Sequence, residues 1–489
     1  MTQELAYMPA HELTRLYRLK TVSPVEVVQS VLQRIDMFNP RYNAYRMVDH
    51  EGALQAARSS EARWMRAQPL GLLDGVPTSI KDSHHVKGWS TLHGSRLTRT
   101  ADIEPLDSPH VARLRDHGAV FLGKTNLCEQ GWKCVTDSPL TGISRNPWNP
   151  DLTPGGSSGG AAIAAAAGMG TINMGGDGGG SIRLPASFCG LVGMKATYGR
   201  VPRYPQESLI ACAHFGPLTR SVAETALVMN VITRPDHRDV TALPFDDRDY
   251  LQGLNAGVKG MRIGYCDTLG DSFPVDKDIE ATVRSAVNRL ADAGALVKHV
   301  SSPIRDTFEA YKTLNSAYQV PKIHGRGEDE LDLMDATLVA NAHRGEGLSA
   351  YDLLRAGYAR ASWIEQMAEF FQSFDILVTP TSPVSPFEAE SNNPRTCEDA
   401  HELEDRVYCL FNGFLYPFNY THHPAVTVPC GLDGRGLPVG LQIVTRHKAD
   451  HLALIVARAV ENSLSFQGLK LALPKEETST ARPAFAQSA

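Results

Sequence analysis

Apolar residues along the chain recur at two different spacings, one helical and one continuous, and the two kinds of segment alternate. Val27, Val28, Val31, Leu32 and Ile35 fall on one face at the helical period. They follow Ser23-Pro24-Val25-Glu26, where Ser23 and Glu26 have the spacing of a capping box and Pro24 occupies the first helical position. The pattern predicts a helix that begins at about residue 23 and packs inward. Ile279, Val283, Val287 and Leu290 repeat in the same way over residues 276–293, ahead of a stop at Gly294. Short apolar runs at 118–123, 261–266, 295–300, 376–379, 426–429 and 439–444 predict buried strands, and residues 75–80 make a strand-like approach to Lys81. Residues 159–174 are the most apolar stretch, but Ala and Gly dominate them and give too little transfer free energy for a membrane span. A buried helix is expected there. Alternating strands and helices imply an α/β fold with one central mixed sheet.

Residues 308–374 are helical in pattern and carry no second glycine-rich motif, so they are expected to form an inserted helical layer that shapes a pocket. The residues after Pro474 are rich in Glu, Thr, Ser, Ala and Pro, and a loose tail over 475–489 is expected behind a single domain spanning 1–474. At 489 residues, core size sets no limit.

Charge narrows the partners. With 48 Lys and Arg against 54 Asp and Glu, mixed along the chain, the sequence offers no broad basic face for nucleic acid. The first twenty residues contain no hydrophobic run of signal-peptide length, and no membrane partner is expected. Eight cysteines stand singly, at Cys128, Cys134, Cys189, Cys212, Cys266, Cys397, Cys409 and Cys430, without a CxxC pair. Such spacing suits reduced thiols in a cytoplasm better than disulfides or a zinc site.

Glycine and serine concentrate in two runs, Gly155-Gly156-Ser157-Ser158-Gly159-Gly160 and Gly175-Gly176-Asp177-Gly178-Gly179-Gly180-Ser181-Ile182-Arg183. Glycines let the backbone come close to a ligand and aim successive N–H groups at one developing negative oxygen. Gly178, Gly179, Gly180 and Ser181 suit that task, and a serine after such a nest stands where an attacked carbonyl would sit. Phosphate binding is the competing reading. Neither run, however, is followed by the Gly-Lys-Ser/Thr of a phosphate loop or shows a dinucleotide-binding turn in a strand-to-helix setting. A serine nucleophile needs a base. None of the 17 histidines stands in a recognisable triad context, the G-x-S-x-G elbow is absent, and the pairs His84-His85 and His422-His423 read as structural or solvated. A lysine serves as base once burial leaves its amine neutral, and Lys81 follows an apolar approach that would carry it inward.

In order and spacing, these segments resemble the amidase signature hydrolases. The matching pieces are Gly75-Val-Pro-Thr-Ser-Ile-Lys81-Asp82, Gly123-Lys-Thr-Asn126, Asn146-Pro-Trp148, Pro154-Gly-Gly-Ser-Ser-Gly-Gly160, Asp177-Gly-Gly-Gly-Ser-Ile-Arg183, Gly193-Met-Lys-Ala-Thr-Tyr-Gly-Arg200, Val378-Thr-Pro-Thr381 and Gly436-Leu-Pro-Val-Gly-Leu-Gln442. The resemblance implies a mixed sheet covered by helices on both faces. It puts the family's catalytic lysine on Lys81, its bridging serine with a cis peptide on Ser157 and its acylated nucleophile on Ser181. It also implies an oxyanion site of Gly178, Gly179, Gly180 and Ser181, with Asp177 and Arg183 bracing the loop and Ser158 a neighbour.

The implied activity is hydrolysis of amide bonds, aryl amides and carbamates (urethanes) included, in a small-molecule amide, ester or carbamate. No cofactor and no metal are expected, and the oligomeric state is left open, a homodimer included. Two rivals share the fold: the glutamine-hydrolysing component of a tRNA-dependent amidotransferase complex, and a catalytically inactive binding protein. One departure stands out, Leu127-Cys-Glu-Gln-Gly-Trp-Lys133, where relatives often carry Glu-Phe-Ala. Trp132 is then either a pocket wall or a buried structural side chain.

Overall fold

The structure is a computed structural model describing residues 5–206, 212–394, 411–464, 466 and 468–472. The expected tail at 475–489, together with Cys397 and Cys409, lies outside the described residues.

Thirteen strands are described: β1 (Tyr45–Val48), β2 (Pro77–Lys81), β3 (Val120–Thr125), β4 (Asp137–Ser138), β5 (Gly142–Ile143), β6 (Ile172–Asp177), β7 (Val192–Lys195), β8 (His214–Thr219), β9 (Arg262–Tyr265), β10 (Leu296–His299), β11 (Ile376–Pro380), β12 (Ala425–Leu432) and β13 (Pro438–Thr445). β4 and β5 pair with each other. The other eleven form one sheet in the order β1, β3, β2, β6, β8, β7, β12, β13, β11, β9, β10. β2 runs parallel to both β3 and β6, and β9 to both β10 and β11, whereas β6–β8, β7–β12 and β12–β13 are antiparallel. The sheet is therefore mixed, as expected.

Side-chain alternation on the strands feeds two layers. Ile376 and Val378 join a core with the helices Val222–Ile232, Lys277–Asp292 and Asp450–Ser463, while Leu377 between them joins a second core with Leu314, Trp363 and Met367. Phe121 likewise faces the first layer, and its neighbours Val120 and Leu122 pack with the helices Pro24–Tyr42 and Gly159–Ala166. Helices thus cover both faces. The predicted capping box forms, with Ser23 accepting from Val25 N–H and donating its own N–H to Glu26.

One expectation is corrected. Residues 159–174 are not one helix: the helix ends at Ala166, Gly168 turns with φ of 67°, and β6 starts at Ile172. The left-handed glycine stops the helix, and residues 173 and 174 find backbone partners in β2 and β8. A run of Ala and Gly has no side-chain period with which to announce that change. The helical region appears as Phe308–Ile323, Glu328–Leu331, Ala336–Glu346 and Ala350–Ser373.

Candidate active site

Parallel neighbours in an α/β sheet deliver their C-terminal ends to one side, where ligands characteristically bind. Lys81 ends β2 and Asp177 ends β6, with Ile80 opposite Met174 in register. Both glycine-serine runs reach this edge: Ser158 caps the helix Gly159–Ala166, and Ser181 follows β6 by one tight loop. The Gly156–Ser157 peptide bond is cis. At Gly156 a Cβ would lie 2.3 Å from Val135 O, so only glycine fits before Ser157.

Lys81 is 2% exposed. Its Nζ lies 2.7 Å from Ser157 Oγ, 2.8 Å from Ser158 Oγ and 3.4 Å from Gly176 O. Burial pushes its pKa down to about 8, against the partial opposition of Cys128 and Asp177. Ser158 Oγ donates to Gly176 O at 3.1 Å and accepts from Gly176 N–H at 3.2 Å. With its one proton spent on a carbonyl, Ser158 braces the amine. Ser157 is then the hydroxyl beside Lys81 with a proton to pass on.

The loop carrying Ser181 is held by a buried ion pair. Arg183 donates to Asp177 through Nε and Nη2, both at 3.0 Å, and further to Gln442 Oε1 at 2.7 Å and Asn419 Oδ1 at 2.6 Å. Neither charge is exposed. Such a pair stays favourable only while its remaining donors and acceptors are matched, and here Asn419 Nδ2 and three backbone N–H groups complete the set around Asp177.

One of those N–H groups corrects the expected oxyanion set. Gly180 N–H donates to Asp177 Oδ1 at 2.7 Å and is therefore committed to the loop. No acceptor among the described residues engages the N–H groups of Gly178, Gly179 and Ser181. Gly180 contributes shape instead: its φ is 119° and a Cβ would strike Leu415 at 2.5 Å.

Ser181, Gly178 and Gly179 open onto a cleft of about 590 Å³ of empty volume. Trp132 lines it, and the same partly buried indole packs against the Ile323, Met334, Leu338 and Ala342 cluster. Sequence reasoning missed Tyr311, Asn315, Tyr318, Gln319 and Lys322, which form the facing wall. Their spacing of three and four residues on a helix was the available signal. Asn412 and Tyr420 also line the cleft and follow no motif. The histidines stay out of it: no histidine lines the cleft among the described residues, and His84 is buried against His110 at 3.0 Å.

The Amidase family model matches residues 26–454 of the chain. The chain belongs to the amidase family. It is 33% identical to an acylamidase of Rhodococcus erythropolis over 469 residues, covering 94% of this chain and 96% of that protein. Identity is 35% over 494 residues to a glutamyl-tRNA(Gln) amidotransferase component of Desulforudis audaxviator (strain MP104C), with 93% and 96% covered. The crystal structure of a bacterial aryl acylamidase of the amidase signature enzymes superposes with a TM-score of 0.85 at 29% identity, over 94% of this chain and 96% of that one. This amidase hydrolyses amide carbon–nitrogen bonds, and its fold is the amidase signature fold. No helix among the described residues is long and apolar enough to cross a membrane.

Proposed function

We propose that this amidase works through an acyl-enzyme on Ser181, with Ser157 as the bridging hydroxyl and Lys81 as the base. The observation that carries the reading is the 2.7 Å contact between Ser157 Oγ and a lysine amine whose burial favours its neutral form. Neutral Lys81 accepts the Ser157 proton while Ser157 accepts that of Ser181, and Ser181 Oγ attacks the carbonyl carbon. The oxyanion is received by the N–H groups of Gly178, Gly179 and Ser181. The relay then runs backward to protonate the departing amine, and water hydrolyses the ester left on Ser181.

Linear amides, aryl amides among them, are the proposed substrates, on the strength of the acylamidase and aryl acylamidase likeness; carbamates offer the same carbonyl and leaving amine. The buried thiols of Cys128, Cys189, Cys266 and Cys430 suit work in a reducing cytoplasm. The likeness to the glutamyl-tRNA(Gln) amidotransferase component supports a second reading, release of ammonia from glutamine inside a complex.

A serine-directed phosphonate or sulfonyl fluoride followed by peptide mapping tests the first reading. The expected adduct sits on Ser181 and is absent from Lys81→Ala. An adduct confined to another residue overturns the assignment. Glutamine hydrolysis that begins only when partner amidotransferase components are added would select the second reading.

A further inference from the structure

Among the described residues lining the cleft there is no aspartate and no glutamate, but there are two lysines, Lys133 and Lys322. Their circumstances differ. Lys133 Nζ is paired with two carboxylates, Asp335 at 2.7 Å and Asp137. Lys322 Nζ donates to the neutral Gln319 Oε1 at 2.6 Å and stands 4.8 Å from the centre of the Tyr318 ring. The carboxylate acting on it, Glu129, already accepts from Ser95 Oγ and from the N–H of Asp335, each at 2.5 Å.

An ammonium carries three N–H donors, and Gln319 takes one. A half-buried cation with a single neutral acceptor is costly unless something entering the cleft completes its shell. Burial lowers its pKa to about 8, the same value as for Lys81, so Lys322 is an ammonium below that pH and the anion preference is read at pH 7. Lys322 and Ser181 line the same cleft.

We propose that Lys322 anchors a carboxylate carried by the substrate, so that this amidase prefers amides bearing a negative charge a few bonds from the scissile carbonyl. The proposal rests on the Ser181 reading above and names the substrate class of that site. An ammonium–carboxylate contact shielded from water is stronger than a neutral hydrogen bond, and the absence of lining carboxylates removes the repulsion an anion would otherwise meet.

Matched anilides test it. Succinic acid mono-4-nitroanilide is compared with 4-methylpentanoyl 4-nitroanilide, in which an isopropyl group replaces the carboxylate. For the amine side, 4-acetamidobenzoate is compared with N-acetyl-4-isopropylaniline. The expected result is a kcat/KM preference of about tenfold or more for the anion in at least one pair. Lys322→Met should bring that ratio to about one, and Lys322→Arg should retain most of it. The same ratio is read as Kd by calorimetry in Ser181→Ala protein, where no turnover is needed. A ratio at or below one in both pairs, or one unchanged in Lys322→Met, overturns the anchor. If Ser181 is labelled and neutral anilides are cleaved without anion preference, the anchor alone fails. If Ser181 is unlabelled and no anilide is cleaved, the catalytic reading fails and the Kd ratio decides the anchor separately.

Discussion

The two walls of the cleft are built on different terms. The strand-end wall meets the cleft at Ser181, and Lys81, Ser157, Ser158, Asp177 and Arg183 stand behind it, all buried, with Lys81, Asp177 and Arg183 matched to named partners. The helical wall comes from one face of Phe308–Ile323, where Asn315, Tyr318 and Lys322 are partly exposed. A change in the first wall orphans a buried donor, acceptor or charge, and such losses are expensive. In the second wall, a change alters what lines the cleft and leaves the proposed proton relay intact. The difference suggests how one fold can keep its chemistry while its substrates vary.

The sharpest way to break that comparison is to remove the reacting groups. Ser181→Ala should lower kcat/KM by about 10⁴-fold or more, since a nucleophile and its base act as a unit and each loss approaches the loss of all. Lys81→Ala should approach the same floor, and Ser157→Ala should be nearly as damaging. Circular dichroism and thermal melting should show all three proteins folded. Retention of full turnover by Ser181→Ala would end the assignment.

A gentler probe of the same wall is pH. Lys81 must be neutral to accept a proton, and burial sets its pKa at about 8. The sign follows: below pH 8 the ammonium form dominates and the rate falls, and above it the rate levels off. On a neutral anilide, kcat/KM should drop about tenfold per pH unit, reaching about 100-fold at pH 6 relative to the plateau. A stopped rate profile between pH 5.5 and 9.5 measures this, and full activity at pH 5.5 would rule out a lysine base.

The two walls also differ in how far sequence alone reveals them. The two glycine-serine runs are legible because their geometry admits few substitutes: Gly156 and Gly180 stand where a Cβ would collide with Val135 and Leu415. The strands β9 and β11 to β13 are legible because continuous apolar runs match burial on both faces, whereas β10 forms where a buried strand is expected but lies at the sheet edge with its side chains mostly exposed. β6 was hidden in an Ala-Gly run, and the short β7 and β8 lie among motif and loop residues that show no strand period. The commitment of the Gly180 N–H to Asp177 could not be read at all, because it depends on a carboxylate three residues away folding back onto that N–H. On the helical wall, Tyr311, Asn315, Tyr318, Gln319 and Lys322 share a face, but the sequence does not say whether that face meets solvent, core or cleft.

Trp132 offers the smallest and most discriminating effect, because it belongs to both the cleft and a core cluster. Trp132→Ala should remove packing against the 323–342 cluster and lower the melting temperature by a few degrees, a partly buried indole contributing on the order of 1–3 kcal/mol. It should also shift the kcat/KM ratio between an aryl amide and acetamide by about three- to tenfold, because an aromatic wall contributes to binding an aromatic ring and little to binding a methyl group. Trp132→Phe should restore the melting temperature and part of the ratio. A fall in stability with an unchanged substrate ratio would place Trp132 in the core alone and leave selectivity to the polar face of the helix.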